Sequence, residues 1–284
     1  MLTNVIKLSS MVPENAPPVS VQKAYHKAVG KHSHDFYELV YLRDGFCLHD
    51  VGGRMTLLME GDMFIIPPEV QHRYIGNRMV NLYNCLFTTE AIADTQKDEL
   101  TLLFSGGGYP RARLALNDRK SIVRQLNAMC DECNDCKTGW GIKLRGQLSG
   151  LLVDFMRIHA DNISEGGERA MYSAYVSRAL EYIDVHYSDA ITVSGVAKAS
   201  GVSPDYLTRQ FRMVIGITPV EYMKRYRFAR AMELLQSGNS VTSAAARVGF
   251  QNLCHFSREF KKALGVTPSQ YRKQNHEGGN QLWH

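Results

Sequence analysis

Residues 249–272 read GFQNLCHFSREFKKALGVTPSQYR, and residues 201–222 read GVSPDYLTRQFRMVIGITPVEY. Both stretches follow one pattern: a glycine, then two apolar residues four positions apart, then Gly-x-Thr-Pro and a tyrosine. The offset between the copies is 48 residues at the first glycine and 49 beyond it, and the match reaches upstream to Ala197 and Ala245. A repeat with this period indicates that one supersecondary unit occurs twice.

Each copy predicts a pair of helices joined by a tight turn. The small side chains of Ala197 and Ala245 permit two helices to cross closely, and the following glycine supplies the turn. In the first copy, Ser203 and Pro204 predict the start of the second helix, because Ser is a favoured N-cap and Pro a favoured first-turn residue. The apolar pair in each copy lies one helical turn apart and would face a core. The C-terminal part therefore predicts a double helix-turn-helix.

Polar and basic side chains occupy the opposite face of each second helix. They are Asp205, Thr208, Arg209, Arg212, Cys254, His255, Ser257, Arg258, Lys261 and Lys262. Arg can pair bidentately with guanine in the major groove, whereas Ser, Thr and Lys mostly position a protein on the DNA backbone. Residues 170–284 contain 14 Lys and Arg and 8 Asp and Glu, which gives this part a net charge of +6. The whole chain has a net charge of +5, so the positive excess lies in the C-terminal part. These features predict binding to double-stranded DNA, with solvated helix faces as the alternative.

Residues 176–273 resemble the DNA-binding domain of the AraC/XylS family of bacterial transcription regulators. The most specific part of the resemblance is FSREFKK at 256–262 followed by GVTPSQY at 265–271. It implies two recognition helices in successive major grooves, joined by a long helix over 219–236, with the base-facing positions among the ten residues named above. A transcription activator of this kind would also contact RNA polymerase.

The N-terminal residues 19–87 predict a β domain. Short apolar runs alternate there with turn sequences such as Asp44-Gly45, Gly52-Gly53 and Gly61-Asp62. Strands at such regular spacing are typical of an antiparallel sandwich or a small barrel.

Residues 117–162 predict two antiparallel helices, because apolar residues recur at helical spacing on either side of Thr138-Gly139. The second helix carries an apolar stripe made of Leu144, Leu148, Leu151, Phe155 and Ile158. Since the other helix can cover only part of such a stripe, we expect this hairpin to form a homodimer.

Three cysteines in the first of these helices, Cys130, Cys133 and Cys136, are spaced so that their sulfurs lie near one helical face. A thiolate metal site or a redox switch is one interpretation. Three cysteines do not complete the tetrahedral shell of zinc, however, and no paired motif supplies a fourth ligand. Small buried thiols in a dimer-forming helix are the interpretation that we favour.

The motifs His32-x-His34-x3-Glu38-x6-Gly45 and Gly61-Asp62-x4-Pro67-x4-His72 resemble the two motifs of the cupin barrel. His32, His34 and Glu38 have the same parity, so the three side chains would project from one face of a strand. In metal-binding cupins, these two His and one Glu of the first motif and the His of the second, here His72, ligate a metal.

Three interpretations of His32, His34, Glu38 and His72 stay open. They bind an organic effector, as the matching barrel does in many AraC-type regulators; they bind a transition metal such as zinc, iron or manganese; or they are structural polar residues. A metal site would permit a metal-dependent cupin enzyme or a metal sensor fused to a DNA-binding domain. We favour an organic effector, a carbohydrate, because the order of segments is similar to that of the rhamnose-responsive regulators. On this interpretation the protein is not an enzyme and needs no cofactor.

The predicted fold class is α+β with two domains: a cupin-like β-barrel with a helical hairpin, and an all-α double helix-turn-helix. The predicted segments are a barrel at 1–110, a dimerisation segment at 111–163, a linker at 164–170, a DNA-binding domain at 171–275 and a flexible tail at 276–284. No apolar run is long enough to span a bilayer and no leader opens the sequence, so we expect a cytoplasmic protein without a membrane partner.

Overall fold

Ten strands and ten α-helices follow one another along the residues that the computed structural model describes, which are 5–13, 16–25, 30–75, 80–104, 109–164 and 168–277. The chain divides into two compact units, residues 1–45 with 49–165 and residues 46–48 with 166–284. Strands dominate the first unit and helices the second. The predicted α+β class, with an N-terminal sheet domain and a C-terminal helical domain, is confirmed.

The strands form three sheets. They are β1 (Val5–Ile6), β2 (Val19–Tyr25), β3 (Ser33–His34), β4 (Tyr37–Asp44), β5 (Phe46–Val51), β6 (Arg54–Met59), β7 (Asp62–Ile66), β8 (His72–Ile75), β9 (Asn81–Phe87) and β10 (Arg111–Arg113). The largest sheet has the order β10-β7-β4-β9-β2, and its neighbouring strands are antiparallel. A second sheet has the order β6-β5-β8, and β1 pairs with β3 in parallel.

Side-chain alternation gives the central strand β4 two buried faces. Leu39 and Tyr41 belong to the apolar core that the sheet shares with two long helices, whereas Glu38 has the opposite parity. Glu38 is only 5% exposed and pairs in register with Ile66 and Leu86 of the neighbouring strands. A carboxylate in this position needs polar or charged partners, because burial of an uncompensated charge is costly.

Helices α1 (Asp94–Leu102), α2 (Leu116–Asp135) and α3 (Trp140–Ser164) complete the N-terminal unit, and α2 and α3 form the predicted hairpin. The apolar stripe of α3 packs with α2 and the five-stranded sheet in one core: its first four residues have no exposed surface, and Ile158 is half-buried. The expectation that this stripe is a dimer surface is wrong, because the sheet covers the part of it that α2 leaves open.

Asp62 ties the short strand β10 to the rest of the sheet. Its carboxylate has no exposed surface, accepts a hydrogen bond from the backbone N–H of Met59 at 2.7 Å, and forms salt bridges of 2.7 Å with Arg111 and Arg113. The barrel boundary predicted at residue 110 is therefore too early. The sheet continues to Arg113, because the two arginines of β10 neutralise a carboxylate that lies on β7.

The C-terminal unit consists of helices that follow one another closely. They are α4 (Glu168–His186), α5 (Val193–Ser200), α6 (Pro204–Ile215), α7 (Pro219–Gln236), α8 (Val241–Arg247), α9 (Leu253–Leu264) and α10 (Pro268–Glu277). The pairs α5/α6 and α8/α9 are the two predicted helix-turn-helix units. The turn between α8 and α9 requires glycine: Gly249 has φ of 84°, and a Cβ there would lie 2.6 Å from the carbonyl oxygen of Ser188.

Two predicted segment boundaries differ from the structure. The linker predicted at 164–170 overlaps the end of α3 at Ser164 and the start of α4 at Glu168, and residues 165–167 lie outside the described residues. Helix α10 continues to Glu277, so the tail predicted at 276–284 begins as helix, and its remainder lies outside the described residues.

The described helices lack the combination of length and apolar character that crossing a membrane requires.

Replacement of Asp62 by Asn should lower the free energy of unfolding by about 3 kcal/mol, because the variant leaves two arginines without their buried counter-charge. Urea denaturation followed by the fluorescence of Trp140, which lies in the same unit, measures this loss. The matched control is Glu60→Gln, which removes a half-exposed carboxylate paired with Arg119 and should cost less than about 1 kcal/mol. Equal losses for the two variants would contradict the role of Asp62.

Candidate functional site

Helix α6 presents a polar face that local contacts hold in place. The hydroxyl of Ser203 accepts a hydrogen bond from the backbone N–H of Tyr206 at 3.3 Å, so Ser203 is the N-cap that the sequence predicts. Leu207 and Phe211 are fully buried beneath the helix. With these two side chains fixed in the core, the opposite face of α6 is turned to solvent.

The four predicted DNA-binding residues of α6 lie on that outward side. Asp205, Arg209 and Arg212 are exposed, and Thr208 is half-buried. The hydroxyl of Thr208 donates to the backbone carbonyl of Pro204 at 2.8 Å, so its hydrogen is engaged within the helix. The two arginines are therefore the side chains of α6 that are best placed to donate to a nucleic acid.

Helix α9 repeats this arrangement with a different cap. The side chain of Asn252 accepts from the backbone N–H of His255 at 2.9 Å, and Phe256 and Phe260 are fully buried. The six residues predicted to bind DNA lie on the outward side, and all of them are exposed except the half-buried Ser257. They are Cys254, His255, Ser257, Arg258, Lys261 and Lys262. Sequence analysis did not identify Asn252 as a cap, although its position before an apolar-periodic helix is the usual signal.

The long helix α7 connects the two outward faces by aromatic contacts. Tyr222 near its start meets Phe211 of α6 edge to face, with ring centroids 5.3 Å apart. Phe228, one and a half turns further along, contacts Phe256 and Phe260 of α9 at 6.1 and 5.6 Å. One helix thus packs against the buried face of both α6 and α9.

In the N-terminal unit, three of the four predicted effector residues converge on one point. The Nε2 atom of His72 lies 3.3 Å from Oε2 of Glu38, and Nε2 of His34 lies 3.6 Å from the same oxygen. Suitable atoms of these three buried residues all lie within 4.8 Å of one another. They come from three strands, β3, β4 and β8, so the expectation that His34 and Glu38 project from one strand is wrong.

His32 lies beside this group rather than in it. Its ring is 4.4 Å from the ring of His72 but 6.4 Å from that of His34, between centroids. Its backbone exchanges two hydrogen bonds with that of His72, at 2.9 and 3.0 Å. Among the described residues, the group of potential ligands comprises His34, Glu38 and His72 without His32.

Backbone carbonyls orient the imidazole rings. Nδ1 of His34 lies 2.6 Å from the carbonyl oxygen of Phe36, and Nδ1 of His72 lies 3.1 Å from that of Val70. A carbonyl oxygen can only accept a hydrogen bond, so each Nδ1 carries the proton and, in the neutral imidazole, Nε2 carries a lone pair. These Nε2 atoms and Oε2 of Glu38 are buried and have no hydrogen-bond partner within the described part of the chain.

The charge states of the cluster follow from burial and from these neighbours. Burial raises the pKa of the Glu38 carboxyl, but the imidazoles of His34 and His72 outweigh this effect, and the pKa lies well below its usual range. Glu38 is therefore a carboxylate at neutral pH. Burial lowers the pKa of His32, which favours its neutral form.

His49 and Tyr109, which were not predicted from the sequence, belong to a group of rings beside His72. His49 of β5 stacks on Tyr74 with centroids 4.6 Å apart, and its ring lies 5.4 Å from that of His72. Nδ1 of His49 is 3.1 Å from the hydroxyl of Tyr109. These residues belong to no motif, and the signal that could have found them is a histidine that directly follows the apolar run Phe46-Cys47-Leu48.

A polar cleft lies elsewhere in the N-terminal unit and was also not predicted. Its volume is about 440 Å³, and it is lined by charged, amide and aromatic side chains. These are Lys23, Arg43, Asp44, Glu60, Asn81 and Tyr83, with Ala24 and Leu82. A cleft of this kind offers hydrogen-bond donors, acceptors and one ring to a polar small molecule.

The cysteines of α2 do not share one environment. Cys130 is buried, Cys133 is half-buried, and Cys136 is exposed and follows the last helical residue with φ of 47°. All are free thiols, and burial raises the pKa of Cys130 to about 11. A protonated thiol is a poor ligand and nucleophile, which favours the interpretation of Cys130 as a packed thiol, whereas the exposed Cys136 does not fit that interpretation.

Comparisons with known proteins match both units. The family model "Helix-turn-helix domain" matches residues 196–274, and "AraC-like ligand binding domain" matches residues 19–138. The chain is similar to the HTH-type transcriptional activator RhaS of Salmonella schwarzengrund (strain CVM19633), with 25% identity over 248 residues that cover 86% of this chain and 88% of that protein. RhaS of Citrobacter koseri (strain ATCC BAA-895 / CDC 4225-83 / SGSC4696) has the same identity and coverage.

Among solved structures, the C-terminal domain of AraT, a response regulator from Geobacillus stearothermophilus, is 37% identical to this chain. The match covers 39% of this chain and 93% of that one, with a TM-score of 0.36.

The variants Arg209→Ala and Arg258→Ala should each bind a DNA site selected from random sequence more weakly, by about 1–3 kcal/mol. Each variant should also lose sequence preference at one base pair. Lys261→Ala should instead weaken binding to all sequences and reduce the salt dependence by about one unit, as expected for a phosphate contact. Fluorescence anisotropy titrations at several salt concentrations measure both effects.

The matched control for these variants is Arg124→Ala, which removes the same charge from an exposed position on α2. It should leave both the affinity and the salt dependence unchanged. A double variant Arg209→Ala/Arg258→Ala with the wild-type footprint would contradict the assignment of α6 and α9.

Proposed function

Because the chain belongs to the AraC family of transcription regulators, we propose that it reads DNA with α6 and α9 and activates transcription when a small molecule binds its N-terminal unit. The observation that carries the DNA part is the pair of capped helices, each with buried apolar residues on one side and exposed basic residues on the other. Arg209 and Arg258 contact bases in this proposal, and Lys261 and Lys262 contact phosphates. The remaining predicted residues supply further polar contacts.

The small molecule is a carbohydrate in this proposal, because the relatives are RhaS activators and the N-terminal segments resemble those of rhamnose-responsive regulators. The predicted site is His32, His34, Glu38 and His72, whose buried carboxylate would accept hydrogen bonds from hydroxyl groups. The imidazole rings of this cluster touch one another, so a sugar would contact its rim or separate the rings. The polar cleft around Asn81 is the competing location.

The protein acts in the cytoplasm as a regulator that contacts RNA polymerase, not as an enzyme, and it acts as a homodimer. With the stripe of α3 buried, the dimer surface in this proposal is the outward face of the same helix. Ile142 is 82% exposed there, and Gly146 and Gly150 have open space above their backbones. Close approach of a second helix is easiest over such glycines.

Replacement of Glu38 by Gln should reduce the transcriptional response to the effector sugar by about tenfold or more, because a charge-assisted hydrogen bond is lost. DNA binding without sugar should change little, since Glu38 lies in the other unit. A reporter gene assayed against a panel of sugars, together with DNA titrations, measures both quantities. The comparison variant is Asn81→Ala in the polar cleft: loss of the response in this variant, with a normal response in Glu38→Gln, would place the effector in the cleft instead.

A further inference from the structure

The polar cleft of the N-terminal unit contains two cationic side chains that have no acidic partner. Lys23 of β2 and Arg43 of β4 are exposed and line the cleft. Neither of them forms a salt bridge with an Asp or Glu among the described residues. The ammonium of Lys23 lies instead over the ring of Tyr83, 5.9 Å from the ring centroid. Two positive charges are therefore available to a ligand in the cleft.

The two carboxylates in the lining of the cleft differ from these cations, because both already have partners. Oε1 of Glu60 forms a salt bridge of 3.0 Å with Arg119. Oδ1 of Asp44 accepts a hydrogen bond from the backbone N–H of Gly45 at 2.9 Å, and the amide nitrogen of Asn81 lies 3.5 Å from Oδ2. The charges that lack a partner in the cleft are therefore both positive, and a negatively charged ligand group would complement them.

An irregularity of the sheet contributes Arg43 to the cleft. Leu42 pairs with Leu82 of β9, and Asp44 pairs with Asn81, so the register shifts and Arg43 has no paired residue on β9. An extra residue of this kind bends its strand and redirects a side chain, and such irregularities are over-represented beside active sites. The direction of this guanidinium is thus set by the shift in register rather than by the regular alternation of β4.

The size of the cleft and its other polar atoms define the rest of the ligand. A volume of about 440 Å³ lies within the range of small-molecule sites and accommodates a monosaccharide. An ammonium and a guanidinium together donate several charge-assisted hydrogen bonds to a carboxylate or phosphate group. The carboxylates of Asp44 and Glu60 can accept hydrogen bonds from hydroxyl groups, and the amide of Asn81 can donate or accept. An inorganic anion would use the cations alone.

We propose that this cleft binds a hydroxylated organic anion of monosaccharide size, a sugar acid or a sugar phosphate. Lys23 and Arg43 bind its charged group, and Asn81 binds a hydroxyl group. The cleft is a separate site from the buried histidine cluster, because no residue of that cluster lines it. A bound anion would join the edge strand β2 to the central strand β4. A role of this anion as the effector rests on the proposed function, whereas its binding does not.

The test is calorimetric titration of the full-length protein with galacturonate, galactose, glucose 6-phosphate and glucose. One of the two anions should bind as one molecule per chain, about tenfold or more tightly than the neutral sugar with the same skeleton. It should also raise the melting temperature, because it binds only the folded protein. The comparison of galacturonate with glucose 6-phosphate distinguishes a carboxylate ligand from a phosphate ligand.

The variants Arg43→Gln and Lys23→Gln should each weaken the binding of that anion by about tenfold or more, because each loses charge-assisted hydrogen bonds. The matched control is Arg124→Gln, which removes an exposed cation of α2 that does not line the cleft and should retain the affinity. All three residues are exposed, so we expect the variants to fold like the wild type, and circular dichroism checks this.

The inference is overturned if neither anion binds, if the neutral sugars bind as tightly as the anions, or if folded Arg43→Gln and Lys23→Gln retain the wild-type affinity. Equal weakening in Arg124→Gln would also overturn it, because only the net charge of the protein would then matter. Binding of a neutral sugar that Glu38→Gln abolishes would leave the proposed function intact after such a result. The proposed function fails separately if a protein that binds the anion recognises no DNA site with sequence preference.

Discussion

The packing of α7 is the constraint on which DNA recognition by this protein depends. Helix α7 has 18 residues, about 27 Å at 1.5 Å per residue, and nine of them are buried. Tyr222 meets α6 and Phe228 meets α9, so a single helix sets the distance and orientation between the two helices that we propose to bind DNA. Close-packed aromatic contacts resist gradual deformation, because any change in spacing would expose rings that are now in contact. The guanidinium of Arg227 adds hydrogen bonds to the carbonyls of Tyr187 and Asp189, which join α7 to the loop before α5.

In the N-terminal unit the corresponding constraint is electrostatic. Two carboxylates are buried in neighbouring strands of one sheet, and their charged partners differ. Asp62 is neutralised by Arg111 and Arg113, and this arrangement fastens β10 to β7. Glu38 instead faces the imidazoles of His34 and His72, whose Nε2 atoms lie 3.6 and 3.3 Å from its Oε2. A ligand can change the behaviour of a regulator only if it binds two arrangements of the protein with different affinity. A buried cluster of a carboxylate and imidazoles is a place where that difference can be large.

Much of this organisation could be predicted from the sequence, and the failures have physical reasons. The double helix-turn-helix was predictable because its signals, such as Ser203 at a helix start and the glycine of each turn, are local and occur twice. Two sequence motifs were enough to predict that His34, Glu38 and His72 lie close together. The motifs did not show that the three residues belong to three different strands, because a strand break between such close residues leaves no periodic signal. The pairing of Asp62 with Arg111 joins residues 49 positions apart, and no local pattern indicates it. The buried stripe of α3 was misread for the same reason, because periodicity shows that a face is apolar without showing which element covers it.

In the proposed function, α7 holds α6 and α9 in two successive major grooves on one face of DNA. The most direct measurement is the affinity for a selected site into which 5 or 10 base pairs are inserted between the two protected segments. Since about 10.5 base pairs make one turn, the shorter insertion moves one segment to the opposite face, and the longer one keeps the face but adds roughly 34 Å. If α7 is rigid, both insertions should reduce the affinity to that of a DNA site that contains only one of the two protected segments. Wild-type affinity with either insertion would contradict this role of α7, because the two helices would then move independently.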